Sequence, residues 1–116
     1  MTETSPTIST HVLDTDEGKP ASGVHVSLYK LGEDGRPIRL TQAITDADGR
    51  IRDLLERPMS PGDYRLEVAL GGRTAPNGDG RFFQRVAVDL RIEDVSRSYH
   101  VPLLLAPYSM TTYRGS

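Results

Sequence analysis

Three histidines are the only side chains of this 116-residue chain whose unperturbed pKa lies near neutrality. His25 sits between Val24 and Val26, on the opposite face from an alternating apolar set, and reads as an exposed strand histidine. His11 lies within Ser9-Thr10-His11-Val12-Leu13, near the end of a first strand, and His100 opens the most apolar segment of the chain. Either one alone reads as a structural histidine. Together, at the margins of buried strands and with an arginine nearby, they would make a base and an electrostatic clamp. Spacing alone does not bring them into contact. The C-terminus is the other unusual feature. A phenol, a guanidinium and a glycine, Tyr113-Arg114-Gly115-Ser116, follow directly on an apolar strand. Such an end either frays into solvent or tucks into a cleft and presents Arg114 and the terminal groups to a ligand.

Other chemistries are excluded by what the chain lacks. With no cysteine there is no disulfide scaffold, thiolate zinc site or cysteine nucleophile. The histidines have no metal-ligand spacing. Asp46-x-Asp48-Gly49 imitates part of a calcium loop, but in that register the first and twelfth positions are Ile44 and Leu55, where carboxylates are needed. No nucleophile elbow, phosphate loop or dinucleotide fingerprint is present. A net charge of -2 predicts no strong field for nucleic acid. No apolar run approaches the roughly 18 residues that span a membrane. Met1 to Thr10 has neither a basic n-region nor an apolar h-region, so a cytoplasmic location is the expectation.

The elements that must position these residues are short strands. Eleven glycines and eight prolines divide the chain, whose length suits one domain. Ile8 to Leu13 forms a first strand. Val24, Val26 and Leu28 line one face of a second, and Glu33-Asp34-Gly35-Arg36 turns the chain back into Ile38 to Thr45. Asp46-Ala47-Asp48-Gly49 is a further turn. Tyr64, Leu66 and Val68 alternate after Pro61-Gly62, and Val86, Val88, Leu90 and Ile92 share a face. Tyr99 to Leu105 is the most apolar strand, and Met110 to Arg114 allows a last short one. Helical periodicity is weak. Arg52 to Arg57 has room for one turn before Pro58, and a short helix is allowed before the Gly-rich loop Gly71 to Gly80. The pattern predicts an all-β antiparallel sandwich of seven to eight strands with at most one short helix. The segment from His100 to Tyr108 is apolar on both faces, so its outer face is expected to meet another subunit, the alternative being a loop or helix that covers it.

Several segments carry a resemblance. Ile8-Ser9-Thr10-His11-Val12-Leu13-Asp14-Thr15, with Gly18-Lys19-Pro20-Ala21-Ser22-Gly23-Val24 after it, resembles the opening of the 5-hydroxyisourate hydrolases, the transthyretin-related enzymes of urate breakdown. Thr45-Asp46-Ala47-Asp48-Gly49-Arg50 is similar to their second motif, and Tyr99-His100-Val101-Pro102-Leu103-Leu104-Leu105-Ala106-Pro107-Tyr108 to their third. Tyr113-Arg114-Gly115-Ser116 looks like the family's terminal signature, which the hormone carrier transthyretin lacks. The resemblance runs from Ile8 to Ser116. It departs from the usual pattern at Ser98, Gln84, Ser109-Met110 and in the Gly71 to Gly80 loop, which lacks an aromatic residue.

The resemblance implies a transthyretin-like (prealbumin-like) sandwich over residues 8–116, preceded by a flexible segment 1–7. It implies a homotetramer, a dimer of dimers, with sites in a channel between dimers. The catalytic residues it implies are His11, Arg50, His100 and Ser116. Those it implies for substrate binding are His11, Arg50, Tyr113, Arg114 and Gly115. The implied reaction is hydrolysis of 5-hydroxyisourate to 2-oxo-4-hydroxy-4-carboxy-5-ureidoimidazoline, with no metal or organic cofactor. Two other classes compete. A transthyretin-like carrier would share the fold without the hydrolytic residues. A structural module of the carboxypeptidase regulatory-like or collagen-adhesin B type resembles Gly18 to Val68, but it gives His100 and the terminal tetrapeptide no role.

Overall fold

The computed structural model describes residues 5–70 and 82–115. Its elements are nine strands: β1 (Ile8–Asp14), β2 (Lys19–Pro20), β3 (His25–Leu31), β4 (Pro37–Ile44), β5 (Arg50–Ile51), β6 (Gly62–Ala69), β7 (Arg85–Ile92), β8 (Tyr99–Leu105) and β9 (Met110–Thr112). They form two sheets. One runs β2-β1-β8-β9, with β5 also paired to β1, and the other runs β4-β3-β6-β7. Alternation along the strands gives each sheet one apolar face, and these two faces meet. Ile8, Val12, Val101, Leu103 and Leu105 from the first sheet pack against Val26, Leu28, Tyr64, Leu66 and Val68 from the second. Burying each such side chain contributes about 1.5–3 kcal/mol. Thr10 is buried among them because its hydroxyl donates to the Val101 carbonyl at 2.6 Å.

Pairing is antiparallel except between β1 and β8, which run parallel with Ser9 beside His100 and His11 beside Pro102. An antiparallel arrangement throughout is therefore corrected at the strand pair that carries both site histidines. The expected apolar face of β7 is present but shallow. Val86, Val88 and Leu90 are only half-buried, and Ile92 alone is fully covered. β7 is an edge strand, and the facing sheet ends in the three-residue β9, so a depression of about 310 Å³ is left between β7 and β8.

No helix occurs among the described residues. Arg52 to Arg57 is held in an irregular form by its neighbours. The Leu54 N–H donates to the Ile8 carbonyl, the Thr41 hydroxyl donates to the Leu54 carbonyl, and Leu54 and Leu55 are both buried. The Asp53 carboxylate accepts from the Glu56 N–H at 2.9 Å, and Glu56 takes φ 56°, a value no helix can use. Nor does a helix precede Gly71: β6 runs to Ala69 and the Leu70 N–H donates to the Gln84 carbonyl. The expected loop Gly71 to Gly80 lies outside the described residues, as do residues 1–4 of the N-terminal segment. Thr7 is tied in, with its N–H on the Ser98 hydroxyl and its carbonyl accepting from Tyr99 N–H.

Candidate active site

Strand register on the outer face of the first sheet assembles the site. Arg50 is the direct cross-strand partner of His11. Period-two alternation puts Ser9 on the same face of β1 as His11, and His100 is the partner of Ser9. Three chemistry-bearing residues that are distant in sequence thus share one surface.

The turn before β5 explains how a two-residue strand holds Arg50 in place. The Asp46 carboxylate accepts from the backbone N–H groups of Asp48 at 2.9 Å and Arg50 at 3.0 Å. Those bonds, the one from Arg50 above all, hold its carboxyl below the usual range. Gly49 takes φ 74° and accepts the Val12 N–H at 2.7 Å. A Cβ there would collide with the Val12 carbonyl, so only glycine lets the turn lie against β1. Thr45 anchors the other side, donating to the Ala21 carbonyl at 2.7 Å and accepting from Val24 N–H at 2.9 Å.

His100 is half-buried. Its Nδ1 lies 2.8 Å from the Ser9 hydroxyl oxygen. Its carbonyl accepts the Gly115 N–H at 2.7 Å, a bridge that brings the C-terminal segment back over β8. Burial first, then the Arg50 guanidinium and His11, push the His100 pKa below its ordinary value, while a hydrogen bond to the Ser9 backbone works the other way. The imidazole is therefore held toward its neutral, proton-accepting form.

His100 stands between two depressions. One, of about 290 Å³, is lined by Ser9, Thr10, Arg50, Ile51, Arg52 and His100. That is near the lower end of the roughly 300–1,000 Å³ span of small-molecule sites. The other is the depression between β7 and β8, which Tyr113 and Arg114 border. Arg114 lies over the Tyr99 ring, 5.3 Å from its centroid. Arg50 and Arg114 thus line different depressions, with His100 common to both. His25 is exposed on the other sheet, paired with Ile44 and Ala69, away from this face. Ser116 lies outside the described residues.

Two residues at the site were not singled out in the sequence. Ser9 was readable as a face-mate of His11 two positions earlier. Arg52 was readable in the same way from Arg50, and it pairs loosely with Asp48 at 3.9 Å.

The fold and this face define a small two-sheet β-sandwich with a cationic, histidine-bearing outer surface. The family model described as the HIUase/Transthyretin family matches residues 8–115, and the chain belongs to that family. It is 44% identical to a 5-hydroxyisourate hydrolase of Halalkalibacterium halodurans, with 94% of this chain and 97% of the relative covered. Among solved structures, it is similar to Klebsiella pneumoniae 5-hydroxyisourate hydrolase, with TM-score 0.81, 39% identity, and 96% and 99% of the two chains covered. It is also similar to sea bream transthyretin in complex with thyroxine, with TM-score 0.84, 28% identity and 93% of each chain covered. The transthyretin-like sandwich that the sequence resemblance implied is the observed fold.

Proposed function

We propose that this chain hydrolyses 5-hydroxyisourate, opening its six-membered ring to give 2-oxo-4-hydroxy-4-carboxy-5-ureidoimidazoline. The observation that carries the reading is the cross-strand pair of His11 and Arg50 with His100 on the same surface. The relatives named as 5-hydroxyisourate hydrolases support it at full length.

In this reading water attacks a ring amide carbonyl carbon. His100, kept neutral by burial and by Arg50, takes the water proton. The Arg50 guanidinium holds the oxyanion. Collapse breaks the carbon–nitrogen bond, and the proton passes to the leaving ring nitrogen, so one water is added in all. His11 orients the substrate beside Arg50. Tyr113, Arg114 and Gly115 close the far side of His100, and Ser116 is taken as a further catalytic residue.

The reading includes a homotetramer, a dimer of dimers, with the β1–β8 outer face turned toward a second copy. Its support is the apolar content of that face, where Pro102 is buried and Leu104 half-buried beside the polar site residues. Light scattering giving the mass of one chain would remove this part. The domain is taken as residues 8–116.

The direct test generates 5-hydroxyisourate in place from urate with urate oxidase and follows its ultraviolet decay, with the spontaneous rate subtracted. Acceleration by the intact chain, lost in His11→Asn, in Arg50→Ala and on removal of Tyr113 to Ser116, is the expected result. No acceleration by the folded protein overturns the reading. It would put forward instead a carrier role, which the likeness to thyroxine-bound transthyretin favours.

A further inference from the structure

The His100 ring is held along two of its edges. Ser9 Oγ meets Nδ1 at 2.8 Å. On the other side the Gly115 backbone packs so closely on the Cβ, Cγ and Cδ2 atoms that a Cβ at residue 115 would sit 2.8 Å from Cδ2. Neither contact is made at the Cε1–Nε2 edge. Among the described residues Nε2 has no hydrogen-bond partner. Which nitrogen carries the proton of the neutral ring therefore rests on Ser9, since a hydroxyl can either donate or accept.

We propose that Ser9 is a positioning residue for His100: its hydroxyl oxygen accepts Nδ1–H and so leaves the Nε2 lone pair open to the site. This deepens the hydrolase reading and rests on it for its kinetic consequence. Two observations support the assignment. Ser9 and His100 are register partners on adjacent parallel strands, so the contact is built into the sheet. The neighbouring β1 hydroxyl, Thr10, is turned the other way and committed to the Val101 carbonyl, so it cannot substitute for Ser9. The arrangement follows the general logic of a base held in one tautomer by a third group. Ser9 itself touches no reacting atom.

The test compares Ser9→Thr with Ser9→Val, which are nearly the same shape, both suited to a strand, and differ in the hydroxyl. Protein labelled with nitrogen-15 in histidine is studied above neutral pH by long-range proton–nitrogen correlation, with His100 assigned by comparison with His11→Asn and His25→Asn. The amide spectrum of each sample reports folding. The expected result is Nδ1–H in the parent and in Ser9→Thr, and a shift toward Nε2–H in Ser9→Val. In the hydrolysis assay Ser9→Val should lose about tenfold in kcat, the worth of one side-chain hydrogen bond, with KM little changed and Ser9→Thr near the parent. Nε2–H in the parent, or the parent spectrum in Ser9→Val, overturns the assignment whatever the activity. Ser9→Val with full kcat overturns the positioning role. A parent that holds Nδ1–H but shows no hydrolysis would instead count against the hydrolase reading, because the spectrum needs no substrate.

Discussion

The His100 carbonyl accepts the Gly115 N–H at 2.7 Å, and a Cβ on residue 115 would lie 2.8 Å from Cδ2 of the same histidine. The C-terminal segment is thus a wall against the ring, and glycine is needed there for closeness. Gly115→Ala should push the imidazole off its position. Misplacement of a reacting group by about 1 Å costs about 10²-fold in rate, and a fall in kcat of that order is expected. The melting temperature should hardly move, because the residue is half-exposed and joined to the sheet by a single isolated bridge. Activity and thermal melts on one sample check both halves. Unchanged kcat would mean that the tail yields and the ring does not depend on it.

Gly49 and Gly18 both have a left-handed backbone, φ 74° and 72°, but only Gly49 has a neighbour in the way. Gly18→Ala should cost about 1 kcal/mol from the backbone alone. Gly49→Ala must in addition part the turn from the Val12 carbonyl and disturb the Val12 N–H bond, and about 3 kcal/mol is expected. Urea unfolding of the two variants gives the comparison directly. Because Gly49 precedes Arg50, its variant should also lose activity that the Gly18 variant keeps.

The pH behaviour follows from His100. Its pKa is lowered in the folded protein, chiefly by burial and then by Arg50 and His11. Below the ordinary histidine value the unfolded chain therefore binds this proton before the folded one does. The histidine's contribution to stability is complete above that value and is lost as pH falls toward the folded pKa. His100→Gln should remove this slope, so the parent should lose stability relative to the variant as pH falls from neutral to mildly acidic. The acid limb of kcat/KM in the parent should lie below the usual histidine range. Denaturant titrations and rate profiles across that interval test the sign.

Much of the sandwich was legible because it is written in local alternation. Val26 and Leu28, with Val24 just before β3, and then Tyr64, Leu66 and Val68 in β6, each mark a face. Tyr99 to Leu105 was legible through its apolar run. What local pattern could not carry was pairing. Ser9 meets His100 through a parallel register across most of the chain, and nothing near either residue encodes it. Arg50 sits in a two-residue strand too short to show any period. Its place opposite His11 depends on Asp46 and Gly49, whose turn was readable but whose docking on β1 was not. Arg114 was legible as an unusual terminal cation. That it rests on the Tyr99 ring follows from the open edge between β7 and β8, a property of the packed sheets.

Arg50 offers the sharpest separation of charge from shape. Its backbone is fixed by the Asp46 carboxylate and by pairing with His11, so changes to its side chain should leave the fold intact. Loss of one oxyanion donor in a preorganised site costs about 10²–10³ in kcat, and Arg50→Ala is expected in that range. Arg50→Lys keeps the charge but loses the planar fork, so it should recover only part of the loss. The two variants should also differ at His100. Alanine removes one of the influences that lower the His100 pKa, so the acid limb should move upward, whereas lysine should leave it near the parent. Rate profiles of both variants check this, and an identical acid limb in Arg50→Ala would mean that Arg50 does not set the His100 proton affinity.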